Sequence, residues 1–270
     1  MDYQTYLPQD ELTAFVKCYW TLSAAAMAKE ERQRIVPDGC MEMIFHAGDL
    51  YRQYLPDQTF ITQPKCFVFG QITQPLEIAA TGETNIFAVR FHPEGCLPFI
   101  NIPIREMDNK AVALEYLFGE QGKTLGERVC AAKNVTEQIN LVENFLLQQI
   151  KSPEISDRVA ASSVQTLLEL KGQLSVDELA DQVQVHRRQL ERKFATIIGL
   201  SPKQLAKIIR LQATLKMMNE RKFEHLTELA YENGYFDQAH FIKDFKEFTG
   251  VTPGEFYAGR LKMSHLFSGT

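Results

Sequence analysis

Several familiar chemistries lack their residues in this chain. The five cysteines, Cys18, Cys40, Cys66, Cys96 and Cys130, are odd in number, scattered, and never form a C-x-x-C pair. That argues against a disulfide framework or a zinc site and for reduced thiols in a cytoplasmic protein. One thiol acting as a redox sensor is the lesser alternative, since free cysteine is usually a small buried hydrophobe. No His-x-His pair occurs, so a metal site built on one is not expected. There is no phosphate loop, dinucleotide fingerprint or Ser/His/Asp arrangement, so no cofactor and no catalytic residue is assigned. No apolar run approaches the roughly 20 residues that span a bilayer, so no membrane partner is expected. The start, Met1-Asp2-Tyr3-Gln4-Thr5, has neither the basic residues nor the apolar core of a signal peptide. An excess of positive charge is missing too: 29 Lys+Arg stand against 34 Asp+Glu, a net charge of −5.

What the chain does have is ordinary globular composition, 45% hydrophobic and 23% charged over 270 residues, and an uneven distribution of charge. Residues 166–262 carry 15 Lys+Arg against 13 Asp+Glu, and the remainder 14 against 21. The acidity therefore belongs to the N-terminal part. The C-terminal part is mildly basic, and its case rests on where those charges lie.

The last hundred residues contain one unit twice. Leu190, Phe194, Gly199, Ser201-Pro202 and Leu205 recur as Phe241, Phe245, Gly250, Thr252-Pro253 and Phe256 at a constant offset of 51. Leu179-Ala180 recurs as Leu229-Ala230 at an offset of 50, so the second copy has one extra residue in its turn, where Gly234 fits. A short helix, a turn and a longer helix, repeated, predicts two helix-turn-helix units. Ser175-x-x-Glu178, Ser201-x-x-Gln204 and Thr252-x-x-Glu255 are capping boxes, the last two with proline at the first helical position. Between the copies, Leu205, Ile208, Ile209, Leu215 and Met218 predict a helix from Pro202 to about Asn219. At some 17 residues it is about 26 Å long, enough to set two reading heads roughly one DNA turn apart.

In the first copy the reading helix is expected over His186–Thr196. Leu190 and Phe194 face the core, which turns Arg188, Glu191, Arg192 and Ala195 outward, with Arg187 and Lys193 beside them. Arginine can grip guanine O6 and N7 with two parallel hydrogen bonds, and Glu191 can accept from cytosine N4 or hold an arginine. In the second copy Asp237 is the expected N-cap, with Phe241 and Phe245 inward. Gln238, His240 and Lys243 then face the groove, Ala239 a thymine methyl, and Lys246 a phosphate. Taken singly, a basic helix face is more often merely solvated, and one helix-turn-helix pattern is weak. Two copies in register, with matched caps and basic outward faces, predict binding to double-stranded DNA.

Residues 166–262 resemble the DNA-binding domain of AraC/XylS-type transcription regulators. The resemblance is carried by Leu179-Ala180, by Arg188 to Phe194, by Gly234 to Phe241 and by Phe245 to Pro253. It implies two helix-turn-helix subdomains on adjacent major grooves, with DNA contacts at Arg188, Glu191, Arg192, Gln238, Ala239, His240 and Lys243. The usual helix-starting serine of the first copy is His186 here, which weakens the local cap.

Ahead of this, residues 5–105 read mostly as strands broken by Pro, Gly, Asp and Asn, which suggests a small barrel or sandwich. A helix from about Gln9 to Tyr19 is expected to precede it. Val36 to Cys40, Phe69-Gly70-Gln71 and Val89 to Gly95 resemble a little-characterised cupin-like domain found ahead of such DNA-binding domains. On alternation, Glu42 shares a strand face with His46, and Arg90 with His92. With Asp38 from the Pro-Asp-Gly turn, Glu42, Arg90 and His92 form a candidate site for a small polar or anionic effector. The competing reading is a structural ion pair or solvent-facing charges. Residues 106–161 read as a helical connector, with Val135, Ile139, Val142 and Leu146 on one face. That stripe suits either the barrel or a second copy of the chain.

The expected architecture is α+β and multidomain: a β-rich cupin-like sensor over 1–105, the connector over 106–161, an all-α double helix-turn-helix over 162–262, and a tail over 263–270. The expected function is that of an effector-responsive, sequence-specific transcription regulator, located in the bacterial cytoplasm and on the nucleoid when bound. Its expected partners are DNA, an unidentified small molecule, a second copy of itself, and RNA polymerase if it activates. The alternatives are an enzyme with a catalytic N-terminal barrel fused to a DNA-binding domain, and a nucleoid-type DNA binder with a purely structural N-terminal domain.

Overall fold

A computed structural model describes residues 1–150, 157–220 and 225–258. The N-terminal strands form two sheets rather than one closed barrel. The larger runs β1(Asp2–Tyr6), β2(Val16–Ala24), β9(Thr84–Phe91), β4(Glu42–His46), β7(Cys66–Phe69) and β10(Ala111–Ala113), in that spatial order. The smaller runs β3(Gln33–Ile35), β8(Leu76–Ala80), β5(Tyr51–Tyr54) and β6(Phe60–Thr62). The strands of both sheets pair antiparallel among the described residues. The central strand β9 pairs with β2 on one side and β4 on the other, and this register sets Glu42 directly opposite Arg90.

The helix expected over Gln9–Tyr19 is not formed. A single 3-10 turn, Asp10–Leu12, gives way to β2. The misreading has a physical cause. Leu12, Phe15, Val16 and Tyr19 are all buried at helical spacing, but Trp20 is buried as well. A strand covered on both faces loses its polar alternation, and pairing with β9 along its whole length overrides the local pattern.

Three helices follow: α1(Leu114–Phe118), α2(Glu120–Ala131) and α3(Val135–Gln149). Val142 and Leu146 of α3 are fully buried in the core shared with the large sheet, with Val135 and Ile139 packed at its margin. The apolar stripe is therefore spent on the chain's own domain, which removes it as a surface for a second copy.

The C-terminal part is helical: α4(Arg158–Glu169), α5(Val176–Gln182), α6(Arg187–Ile197), α7(Pro202–Asn219), α8(Leu226–Glu232), α9(Gln238–Thr249) and α10(Pro253–Tyr257). All three expected capping boxes form, and Asp237 caps α9 by accepting from the His240 N–H. His186 precedes α6 without a side-chain cap. The two helix-turn-helix turns match at an offset of 50. Val185 donates to the Ala180 carbonyl as Tyr235 does to Ala230, with Gln184 and Gly234 both at positive φ. The extra residue of the second copy is thus Phe236, just before the cap. On α4, Val164 and Leu167 are buried while Leu168 is exposed.

The two parts are docked. Val36 belongs to the C-terminal core, and Leu97 packs against both cores. The Gln212 amide of α7 donates to the Pro37 carbonyl at 2.7 Å. Arg34 donates to the Thr249 carbonyl at the end of α9 at 3.0 Å, a cation placed where the helix dipole favours one. Gly39 and Gly199, both at positive φ, sit so close to Leu205 and Ile104 that an added Cβ would lie 2.7 and 2.8 Å from those side chains.

Candidate nucleic-acid interface and effector cavity

In α6 the buried residues are Leu190, Phe194 and Ile197. Burying that face leaves Arg187, Arg188, Glu191 and Arg192 exposed. The three arginines are not equivalent. Arg187 is held by both oxygens of Asp177, at 3.1 and 3.2 Å, and by Glu191 at 3.0 Å. These carboxylates raise its pKa further, Glu191 contributing most. Arg188 and Arg192 have no side-chain hydrogen bond or ion pair among the described residues. They stand one turn apart with their donors free, the state a guanine edge or a phosphate requires. Glu191 is engaged with Arg187, so it acts on this face first as an arginine holder. Lys193 turns away to pair with Asp157 at the start of α4.

In α9 the exposed side chains include Gln238, Ala239, Lys243 and Lys246. His240 is half-buried. Its ring packs edge-on against Tyr235 at 5.5 Å, and its Nε2 lies 3.3 Å from Asp244, which also holds Lys207 at 2.8 Å. His240 therefore belongs partly to a buried polar cluster joining α9 to α7. Phe236 is 86% exposed directly before α9. The offset shows that the second copy has one extra residue, but it pointed to Gly234, which instead matches Gln184, and nothing in the sequence marked Phe236 as a surface aromatic.

The N-terminal site residues divide. Asp38, Glu42 and Arg90 converge on one cavity of about 50 Å³ between the two sheets, together with Trp20, His46, Tyr51, Gln63, Phe69 and aliphatic side chains. His92 lies past the end of β9 and is not among the lining residues; its backbone N–H donates to Phe15. Arg90 donates through Nε to Glu42 at 2.8 Å and stands 3.4 Å from Asp38. Trp20 Nε1 also donates to Glu42, at 3.0 Å. Burial pushes the Glu42 carboxyl up, and Arg90 opposes that shift. His46 is 2% exposed, its ring stacked on Tyr51 with the Gln63 side chain beside it. Burial pulls its pKa down to about 4, with the nearby Gln63 side chain opposing, so the ring is neutral. Sequence reasoning placed Glu42 and His46 on one face but assigned His46 no role. It gave no signal for Trp20 of β2, or for Tyr51 and Gln63, which the β5–β6 pairing brings to the cavity from the other sheet.

Two helix-turn-helix units joined by one helix, with a pair of exposed arginines on the first, are the build of a DNA-binding domain. Residues 179–259 match the family model "Helix-turn-helix domain", and residues 4–113 match "Domain of unknown function (DUF6597)". The chain therefore carries an AraC-type helix-turn-helix domain in its C-terminal part and a DUF6597 domain ahead of it. It is 27% identical over 235 residues to the HTH-type transcriptional regulator MtrA of Neisseria gonorrhoeae, covering 82% of this chain and 75% of that one. It is 25% identical over 119 residues to an uncharacterized HTH-type transcriptional regulator of Haemophilus influenzae, covering 44% of this chain. The match spans only 38% of the Haemophilus protein's length. Among solved structures, ToxT from Vibrio cholerae is similar over 89% of this chain and 98% of its own, at 14% identity and a TM-score of 0.47. No helix among the described residues is long and apolar enough to cross a membrane.

Proposed function

We propose that this regulator reads two successive major grooves, one with α6 and one with α9, and takes a small effector in the cavity between its N-terminal sheets. The observation that carries the reading is the pair Arg188 and Arg192, exposed and unpartnered one turn apart on a helix whose neighbouring arginine is neutralised. In α9 the corresponding surface is Gln238, Ala239 and Lys243, with Lys246 on phosphate and His240 bracing the helix. In the N-terminal domain, Asp38, Glu42 and Arg90 are the polar groups of the effector site. The chain works in the cytoplasm, on the nucleoid when bound, without catalysing a reaction. Paired operators would bring two copies together, and an activating site would bring RNA polymerase.

The test is selection of bound sequences from random duplexes with the full-length chain, followed by footprinting. The reading expects one preferred sequence with two contacted segments about 10 base pairs apart. Binding without preference, or one contacted segment only, would overturn it.

A further inference from the structure

Cysteines scattered along a sequence can meet in the fold. Cys66 opens β7 and Cys130 lies near the end of α2, 64 residues apart, and their Sγ atoms stand 3.6 Å from each other. Helix α2 is shaped for this meeting. Gly126 and Cys130 are four residues apart and so share one face of the helix. A Cβ at Gly126 would lie 2.9 Å from the Cys66 sulfur. Glycine inside a helix weakens it; here it leaves the space beside that sulfur.

Packing alone accounts for many free cysteines. Cys40 and Cys96 fit that description, being buried, whereas Cys66 and Cys130 are half-buried. A cavity of about 270 Å³ borders Cys66, with Lys65, Lys123, Glu115 and Glu127 on its walls. The two sulfurs also differ from each other. The Cys130 Sγ lies 3.6 Å from the His46 carbonyl, so its S–H points there and the Cys66 S–H is the one between the two sulfurs. That bond from Cys66 holds the Cys130 thiol below its ordinary range; burial opposes the shift and Lys65 supports it. The same bond, with burial, raises the Cys66 thiol. Cys130 is thus the sulfur nearer to a thiolate, the reactive form, and Cys66 is its thiol partner.

We propose that Cys66 and Cys130 are a modification site for hydroperoxides, which close the pair into a disulfide that small thiols reopen. The Cys130 thiolate attacks one peroxide oxygen. The S–O bond forms, the O–O bond breaks, and the departing hydroxide takes a proton to become water. The Cys66 sulfur then attacks the sulfur of the Cys130 sulfenic acid. Its proton goes to the leaving hydroxyl, and a second water departs. The two sulfurs give up two electrons and the peroxide accepts them. The sulfurs close from 3.6 Å to about 2.05 Å, and the bond ties α2 to the large sheet. The site shares no side chain with the reading helices or with the lining of the effector cavity, so it stands whether or not those readings hold.

The experiment treats the reduced full-length chain with hydrogen peroxide, blocks the remaining thiols with N-ethylmaleimide and maps linked peptides by mass spectrometry. The Cys66–Cys130 linkage should dominate, form in step with the loss of both thiols, and vanish with dithiothreitol. Cys18, also half-buried, is the internal comparison and should stay largely unmodified when the pair has closed. In urea the fold no longer sets the pairing, and the preference for Cys66–Cys130 over other pairs should fall by about tenfold or more. Cys66→Ser should lose the linkage and leave Cys130 trapped by dimedone as its sulfenic acid. Cys130→Ser should lose the linkage too, with no dimedone adduct at Cys66 above that at Cys18. The unsubstituted chain decides the main point, so a variant that fails to fold does not obscure it. Intact thiols at Cys66 and Cys130 under peroxide that already oxidises Cys18 would overturn the site. So would linkage spread evenly over the five cysteines, or oxidation of Cys130 to the sulfinic acid without any bond to Cys66.

Discussion

At the scale of single residues, what separates a reader from a solvated charge is whether its hydrogen-bond donors are already spent. Arg187 donates to Asp177 and Glu191, whereas Arg188 and Arg192 donate to nothing among the described residues. Arg192→Ala should cost about 1–3 kcal/mol of binding and relax preference at one base position, as should Arg188→Ala. Arg187→Ala should change base preference less, because its carboxylate partners must first be displaced. Selection profiles of the three variants check this, and unchanged profiles for Arg188→Ala and Arg192→Ala would remove α6 as a reading helix. His46 offers a second residue-scale test. Its pKa falls from 6.5 in the unfolded chain to about 4 in the fold. The unfolded state binds the proton more readily, so folding stability should be complete above about pH 6.5 and decline as pH drops toward 4. The full effect is on the order of 3 kcal/mol. Urea melts across that window should show the decline in the native chain and a smaller one in His46→Phe.

At the scale of elements, the repeat works because each copy carries its own start and stop signals. Ser201 and Thr252 cap α7 and α10 by the same box with the same proline. Ser201→Ala should cost about 1 kcal/mol of stability, read as a lowered urea midpoint at unchanged slope. Helix α7 has 18 residues and so runs about 27 Å, which supports footprints one turn apart. Changing Gln238 and Lys243 should disturb one half of the footprint, and changing Arg188 and Arg192 the other. Disturbance of one half only would leave the second copy structural. These elements were legible in the sequence because caps, prolines and the 51-residue offset are local signals. The candidate site was half legible. Alternation placed Glu42 and Arg90 on their strand faces, but only the β4–β9 register sets them opposite each other. His92 was misgrouped because β9 ends at Phe91, and alternation does not continue past a strand's end. The helix expected over Gln9–Tyr19 failed because β2 is buried on both faces.

At the scale of the whole molecule, the two parts share a packed seam that touches everything the DNA-binding half must orient. Arg34 reaches the end of α9, Ile104 lies against Gly199 in the turn after α6, and Gly39 lies against α7. A free tether would leave the reading heads to their own linker; this seam fixes them against the N-terminal sheets. Two glycines separate backbone strain from loss of docking. Gly39 has φ +80, with an added Cβ 2.7 Å from Leu205, whereas Gly119 has φ +60 and open space around it. Alanine at either should cost stability on the order of 1–3 kcal/mol through the left-handed backbone. Only Gly39→Ala should also change the affinity of the full-length chain for its selected duplex, because only it displaces α7 from the seam. Equal DNA affinity in the two variants, with both stably folded, would show that the heads are oriented by their connecting helix alone.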